Sequence, residues 1–111
     1  MKTFDEIVKL NQELIAKFKK VEQKPWSAEA NLVELTKQVG ALSKYVMVYE
    51  KYYFKSERDK NHKRTELEDI SDQLADIFFC LVRIGDHYKI DLEESVLRMV
   101  DQTNEMLKKI D

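Results

Sequence analysis

Three aspartates, Asp69, Asp72 and Asp76, stand at i, i+3 and i+7 in the segment ELEDISDQLADIFFCLVRIGDHYKIDLEE, residues 66 to 94. On a helix that spacing gathers side chains toward one face. Carboxylates are the hard, charged oxygens that Mg²⁺ takes in near-octahedral geometry. One turn before Asp76, where a second acid would make a gripping pair, the chain has the neutral amide Gln73. A second stretch, NLVELTKQVGALSKYVM, carries Glu34 one turn before Gln38. A site assembled from Glu34, Asp72 and Asp76 is sterically open. The simpler reading leaves Glu34, Asp69 and Asp72 as solvated charges near helix starts. Lys37 and Lys44, at i and i+7 on either side of Ala41, form a basic stripe that could hold phosphate directly, or an ordinary lysine-bearing surface. His62 and His87 have no ligand spacing to another His or Cys, and Cys80 has no nearby base in sequence to activate it.

The elements that must position these groups are helices. Thr3 with Glu6, Thr65 with Glu68 and Asp91 with Glu94 each place an acid three residues after a small polar cap, the pattern of a reciprocal capping box. A further start lies at Pro25-Trp26-Ser27, with Ser27 as cap and Glu29 in the positive first turn. These signals predict helices near 3–21, 28–53, 66–88 and 92–110. In the third, Leu67, Ile70, Leu74, Ile77, Leu81, Ile84 and Tyr88 alternate spacings of three and four, a seam for near-parallel packing. A second apolar row, Ala75, Phe78, Val82 and Gly85, lies on another face, so a partner subunit is expected there. Gly85 reads either as a close helix approach or as a tolerated glycine near the helix end. The second predicted helix has Leu32, Leu35, Val39, Leu42 and Val46 on one face and runs into Tyr49, Tyr52, Tyr53 and Phe54. Those aromatics are read as core or subunit contact, with stacking on a nucleobase as the sharper alternative. Trp26 reads as a packing residue ahead of the second helix, or as part of a base pocket. KSERDKNHKR, residues 55–64, reads as a solvated loop, with a basic lid over phosphates as the alternative.

Length and composition narrow the class. A chain of 111 residues is expected to form one domain, 1–111, and two Gly with one Pro leave room only for few, long elements. Hydrophobic content of 43% beside 36% charged residues suits an all-α protein. A net charge of −2 gives no general attraction to nucleic acid or to an anionic membrane. No apolar run reaches the length of a membrane span, and MKTFDEIVKL is amphipathic rather than a signal peptide. A lone cysteine excludes an internal disulfide and fits a reducing, cytoplasmic compartment.

Two stretches, PWSAEANLVELTKQVGALSKYVMVYEKYY and DQLADIFFCLVRIGDHYKIDLEESV, closely resemble the MazG-like, all-α nucleoside triphosphate pyrophosphohydrolases. The likeness covers roughly residues 25–100 and includes Val39-Gly40, the Leu-Ala-Asp run at 74–76 and the Ile-Asp-Leu-Glu-Glu run at 90–94. It implies a four-helix MazG-like bundle, oligomeric as a homodimer or homotetramer through the second and third helices. It also implies an activity, release of pyrophosphate from a nucleoside triphosphate with Mg²⁺ as cofactor. In that family a Glu-Glu-x-x-Glu pattern on one helix and a Glu-x-x-Asp pattern on the next gather the ions. Here Lys37, Gln38 and Ala41 occupy the first pattern and Gln73 the Glu of the second, leaving Asp76 as the one matching metal ligand. A Lys and an Asn that the family often places on the last helix fall at Met99 and Thr103. The resemblance therefore implies the scaffold of a hydrolase with its Mg²⁺ site degenerate. Little or no hydrolysis is expected, and a nucleotide or partner bound through the old cleft. The rival expectation is an active pyrophosphohydrolase using Glu34, Asp72 and Asp76. A third is a purely structural helical oligomer.

Overall fold

The computed structural model describes residues 1–55 and 65–110. Among the described residues the secondary structure is all helical, in four helices with no strand: α1 Phe4–Lys19, α2 Ala28–Tyr49, α3 Glu66–His87 and α4 Leu92–Lys108. Each begins where its cap predicts. Thr3 accepts from the Glu6 amide at 3.1 Å while Glu6 reaches back to the Thr3 amide at 3.3 Å. Thr65 and Glu68 repeat this at 3.1 and 3.4 Å, and Ser27 accepts from the Ala30 amide at 3.1 Å. The fourth start departs from the predicted box. Asp91 accepts from the Glu94 amide at 3.1 Å, but the Glu94 carboxylate turns to Arg98, 3.5 Å away.

Helix ends are set by the backbone. The second helix stops at Tyr49 rather than continuing to residue 53, because Lys51 takes φ 67°. The Tyr52 amide then donates to the Met47 carbonyl at 2.9 Å and the Lys51 amide to Val48 at 3.1 Å, a Schellman closure. The third helix closes the same way. Lys89 has φ 56°, Ile90 donates to the Gly85 carbonyl at 2.8 Å, and Lys89 donates to Asp86 at 3.2 Å. The first and last helices end at Lys19 and Lys108, two residues short of the predicted limits.

The chain divides into two compact units. One comprises Met1–Pro25 with the chain from Val82 onward, the other Trp26–Leu81, so α3 contributes to both. In the first unit Ile15 and Val82 are each only 1% exposed. Gly85 lies where an added Cβ would sit 3.2 Å from Leu92 Cγ, so the close-approach reading of that glycine holds. Buried Arg83 grips Glu22 with two parallel bonds, Nη1 to Oε2 and Nη2 to Oε1, each 2.7 Å. In the second unit α2 and α3 run antiparallel. Lys55 meets Glu66 at 3.4 Å near their linked ends, and Gln38 meets Gln73 further along. Cys80 is buried in this unit, as are two polar residues, Asn31 and Gln73. No described helix is long and apolar enough to cross a membrane.

Candidate functional site

Gln73 lies on the face of α3 that looks toward α2, one heptad before Cys80, and both are 6% exposed. Its Nε2 donates to Gln38 Oε1 at 2.5 Å. Gln38, half-buried on α2, donates from its own Nε2 to Glu34 Oε1 at 2.8 Å, one turn back. Lys37 Nζ stands 3.9 Å from the same carboxylate oxygen. The result is a relay from an amide on α3 through an amide on α2 to a charged acceptor. In the low-dielectric space between helices each bond polarises the next. Glu34 is thereby committed within α2, to Gln38 and Lys37.

The remaining predicted positions are spread out. Asp76 is exposed, and Ala41 is half-buried with no donor atom to offer. Asp72 is exposed and Asp69 half-buried on the same helix. Among the described residues, no three His, Cys, Asp or Glu side chains gather closely enough to hold a metal ion. As a donor set for Mg²⁺ these residues fit poorly. Gln38 Oε1 already accepts from Gln73, the Glu34 carboxylate accepts from Gln38 and stands near Lys37, and Asp76 is exposed on the next turn of α3. Mg²⁺ dehydrates reluctantly and favours charged oxygens, so neutral amides locked in a relay are weak competitors for water.

The basic stripe is present as two exposed lysines with separate attachments. Lys37 leans toward Glu34, and Lys44 Nζ lies 5.9 Å from the centroid of the Tyr45 ring. Of the aromatic cluster, Tyr49 ends α2 and is 44% exposed, and the other three members fall beyond the helix. Tyr52, Tyr53 and Phe54 follow the Lys51 turn and are 76%, 54% and 100% exposed, so none serves as core in this chain. Trp26 is half-buried just before the Ser27 cap. His87 ends α3 with its ring edge-on to Tyr88 at 4.9 Å. Met99 and Thr103 are exposed on α4. Residues 56–64, including His62 and most of the predicted basic loop, lie outside the described residues.

Three features had not been read from the sequence. The Gln73–Gln38 bond spans 35 residues and leaves no local trace. Asn31 is 5% exposed, donates to the Ser27 carbonyl at 2.9 Å, and leaves its Oδ1 enclosed without a partner. The Glu22–Arg83 pair had one visible sign, an arginine inside the apolar run Leu81-Val82-Arg83-Ile84. Two carboxylates are held below their ordinary range. Glu22 is lowered first by its bonds from Arg83, and Glu66 by its own backbone amide and then by Lys55. Neither lies among the positions where the resemblance places acid. No family model matches the chain, and no curated protein matches it.

Proposed function

We propose that this chain is a MazG-like helical protein whose Mg²⁺ site has been replaced by hydrogen-bonded amides. In this reading it binds a nucleotide or a partner through the α2–α3 cleft with little or no pyrophosphohydrolysis. One observation carries the reading: Gln73 and Gln38, two positions where the resemblance expects acid, bond to each other at 2.5 Å. A metal-dependent pyrophosphohydrolase needs dications to neutralise the triphosphate and to activate the attacking water. Loss of a single transition-state stabilising group commonly lowers the rate by about 10²- to 10³-fold. Substitution at four ligand positions together leaves no path through that mechanism.

The test is a panel of nucleoside triphosphates with Mg²⁺ or Mn²⁺, assayed for pyrophosphate release. No turnover above background is expected. Turnover near ~1 s⁻¹, within the ordinary enzyme range, that disappears in Asp76→Ala would overturn the proposal in favour of an active hydrolase. Thermal unfolding with nucleotide and no metal then separates binding from a purely structural role. A ligand present at about a hundred times its dissociation constant adds roughly 2.7 kcal/mol to the folded state. An unmoved midpoint across the panel would remove the nucleotide from the proposal and leave a protein partner or the purely structural oligomer.

A further inference from the structure

The aromatic cluster at the end of α2 has no part in the proposed function. Four of the chain's five tyrosines fall between residues 45 and 53, and Phe54 follows directly. Tyr49, Tyr52, Tyr53 and Phe54 are all exposed, Phe54 completely. The backbone beneath them is tied down. The Tyr52 and Tyr53 amides both donate to the Met47 carbonyl, at 2.9 and 3.1 Å, and Lys51 holds the left-handed turn between them and the helix. Flat apolar rings are thus carried into solvent on a backbone anchored to the helix end. Anchoring of this kind reduces the chain entropy lost when a ligand stacks on the rings.

The charge around the rings is not the charge of the chain. Residues 44 to 64 carry seven Lys and Arg against three Asp and Glu, and the remaining sequence carries twelve against eighteen. The net charge of −2 therefore conceals a basic stretch of +4 set against −6 elsewhere. Among the described residues, Lys44 Nζ lies 5.9 Å from the Tyr45 ring centroid, and Lys51 is exposed between Tyr49 and Tyr52. Lys55 follows Phe54 and reaches Glu66 at 3.4 Å.

Rings interleaved with cations favour one class of partner. Protein interfaces are enriched in aromatic residues but depleted in Lys and Glu. From Tyr49 to Lys55 the chain has two Lys and one Glu, and no Val, Leu, Ile, Met or Ala. A single-stranded nucleic acid offers base faces and phosphates together, which matches both the rings and the charge. A duplex keeps its base faces stacked on one another and offers chiefly its phosphates. We propose that Tyr49, Lys51, Tyr52, Tyr53 and Phe54 form a stacking site for single-stranded nucleic acid. Every base has a π face, so the site binds without sequence preference. Tyr49 stands 11 residues beyond Gln38, about 16 Å along the helix. The site is therefore distinct from the amide relay and does not rest on the nucleotide reading of the cleft.

Fluorescence anisotropy of the full chain with a labelled oligothymidylate of about 12 nucleotides, within the usual range of site sizes, tests this. Saturable binding is expected, displaced equally by unlabelled single strands of other sequence and poorly by the same strand annealed to its complement. One stacked base is worth about 5- to 150-fold by alanine substitution. Tyr52→Ala with Phe54→Ala should accordingly weaken binding at least about tenfold, and Tyr52→Leu with Phe54→Leu, which keeps apolar surface without π faces, should do the same. Lys51→Ala should reduce the dependence of log affinity on log salt by about 0.7, the contribution of one phosphate contact. Tyr88→Ala, at the fifth tyrosine and exposed outside the cluster, should leave affinity unchanged. Absence of saturable binding overturns the proposal, as does equal affinity for the duplex. So does full affinity in either ring variant, or displacement of the strand by polyglutamate that the ring variants bind equally well, which would assign the site to an acidic peptide.

Discussion

A side-chain amide bonded to another amide can be removed in two ways, and the two differ in cost. Gln73→Ala takes away the donor and strands Gln38 Oε1 in a half-buried place, an unsatisfied acceptor worth about 1–3 kcal/mol. Gln73→Leu together with Gln38→Leu removes both polar partners and should fall within about 1 kcal/mol of the parent. Urea unfolding of the single and double variants should therefore give a coupling of at least ~0.5 kcal/mol. Strictly additive losses would show that the relay does not bind the helices. The two positions themselves were legible in the sequence, as places where the resemblance expects acid and the chain has amides. Their contact was not, because nothing local to Gln38 indicates which residue on another helix faces it. Arg83 was half legible: a guanidinium between Val82 and Ile84 needs a buried partner. Glu22, beyond the end of α1, gives no periodic clue to being that partner.

Helix starts were easier to read than helix ends, and the reason is chemical. A start is written in side chains such as Thr3, Ser27 and Thr65, whose oxygens accept specific backbone bonds. An end is usually marked by glycine at the left-handed position, but here lysine takes that role twice, at Lys51 and Lys89. With no glycine as punctuation, the apolar run through Tyr52 and Tyr53 extended the predicted second helix by four residues past Tyr49. A left-handed conformation costs an L-residue about 1–2 kcal/mol, part of which glycine gives back as lost chain entropy. Both lysines are exposed, so little packing is lost on truncation. Lys51→Gly and Lys89→Gly should each stabilise the fold by about 0.5–1 kcal/mol, seen as a higher urea midpoint with an unchanged slope. A lower midpoint in either variant would mean that the lysine side chain itself holds the turn.

Across the whole molecule, acid should be the condition that exposes the weakest joint. The Glu22 carboxyl is held below its ordinary value of 4.5 by the bonds from Arg83. A group depressed on folding contributes stability that is complete above its unfolded pKa and is lost as pH falls through the folded one. Stability should therefore decline as pH is lowered below about 5, and Glu22→Gln should flatten that slope while lowering stability at pH 7. Glu22→Ala, which leaves Arg83 buried and unpaired, should cost roughly 3 kcal/mol at neutral pH by chemical unfolding. An acid limb of the same steepness in Glu22→Gln would assign the sensitivity elsewhere. The all-α class and the order of elements followed from caps and periodicity. The division at Trp26 and Val82 did not, because α3 reads as one uninterrupted seam through both units. The amide relay has a different consequence at this scale. Carboxylates facing one another across two helices repel unless an ion lies between them, whereas a pair of amides carries no net charge. Gln38 and Gln73 therefore join α2 to α3 without needing a counter-ion. A bond between two neutral groups should also weaken less than an ion pair does when salt is added.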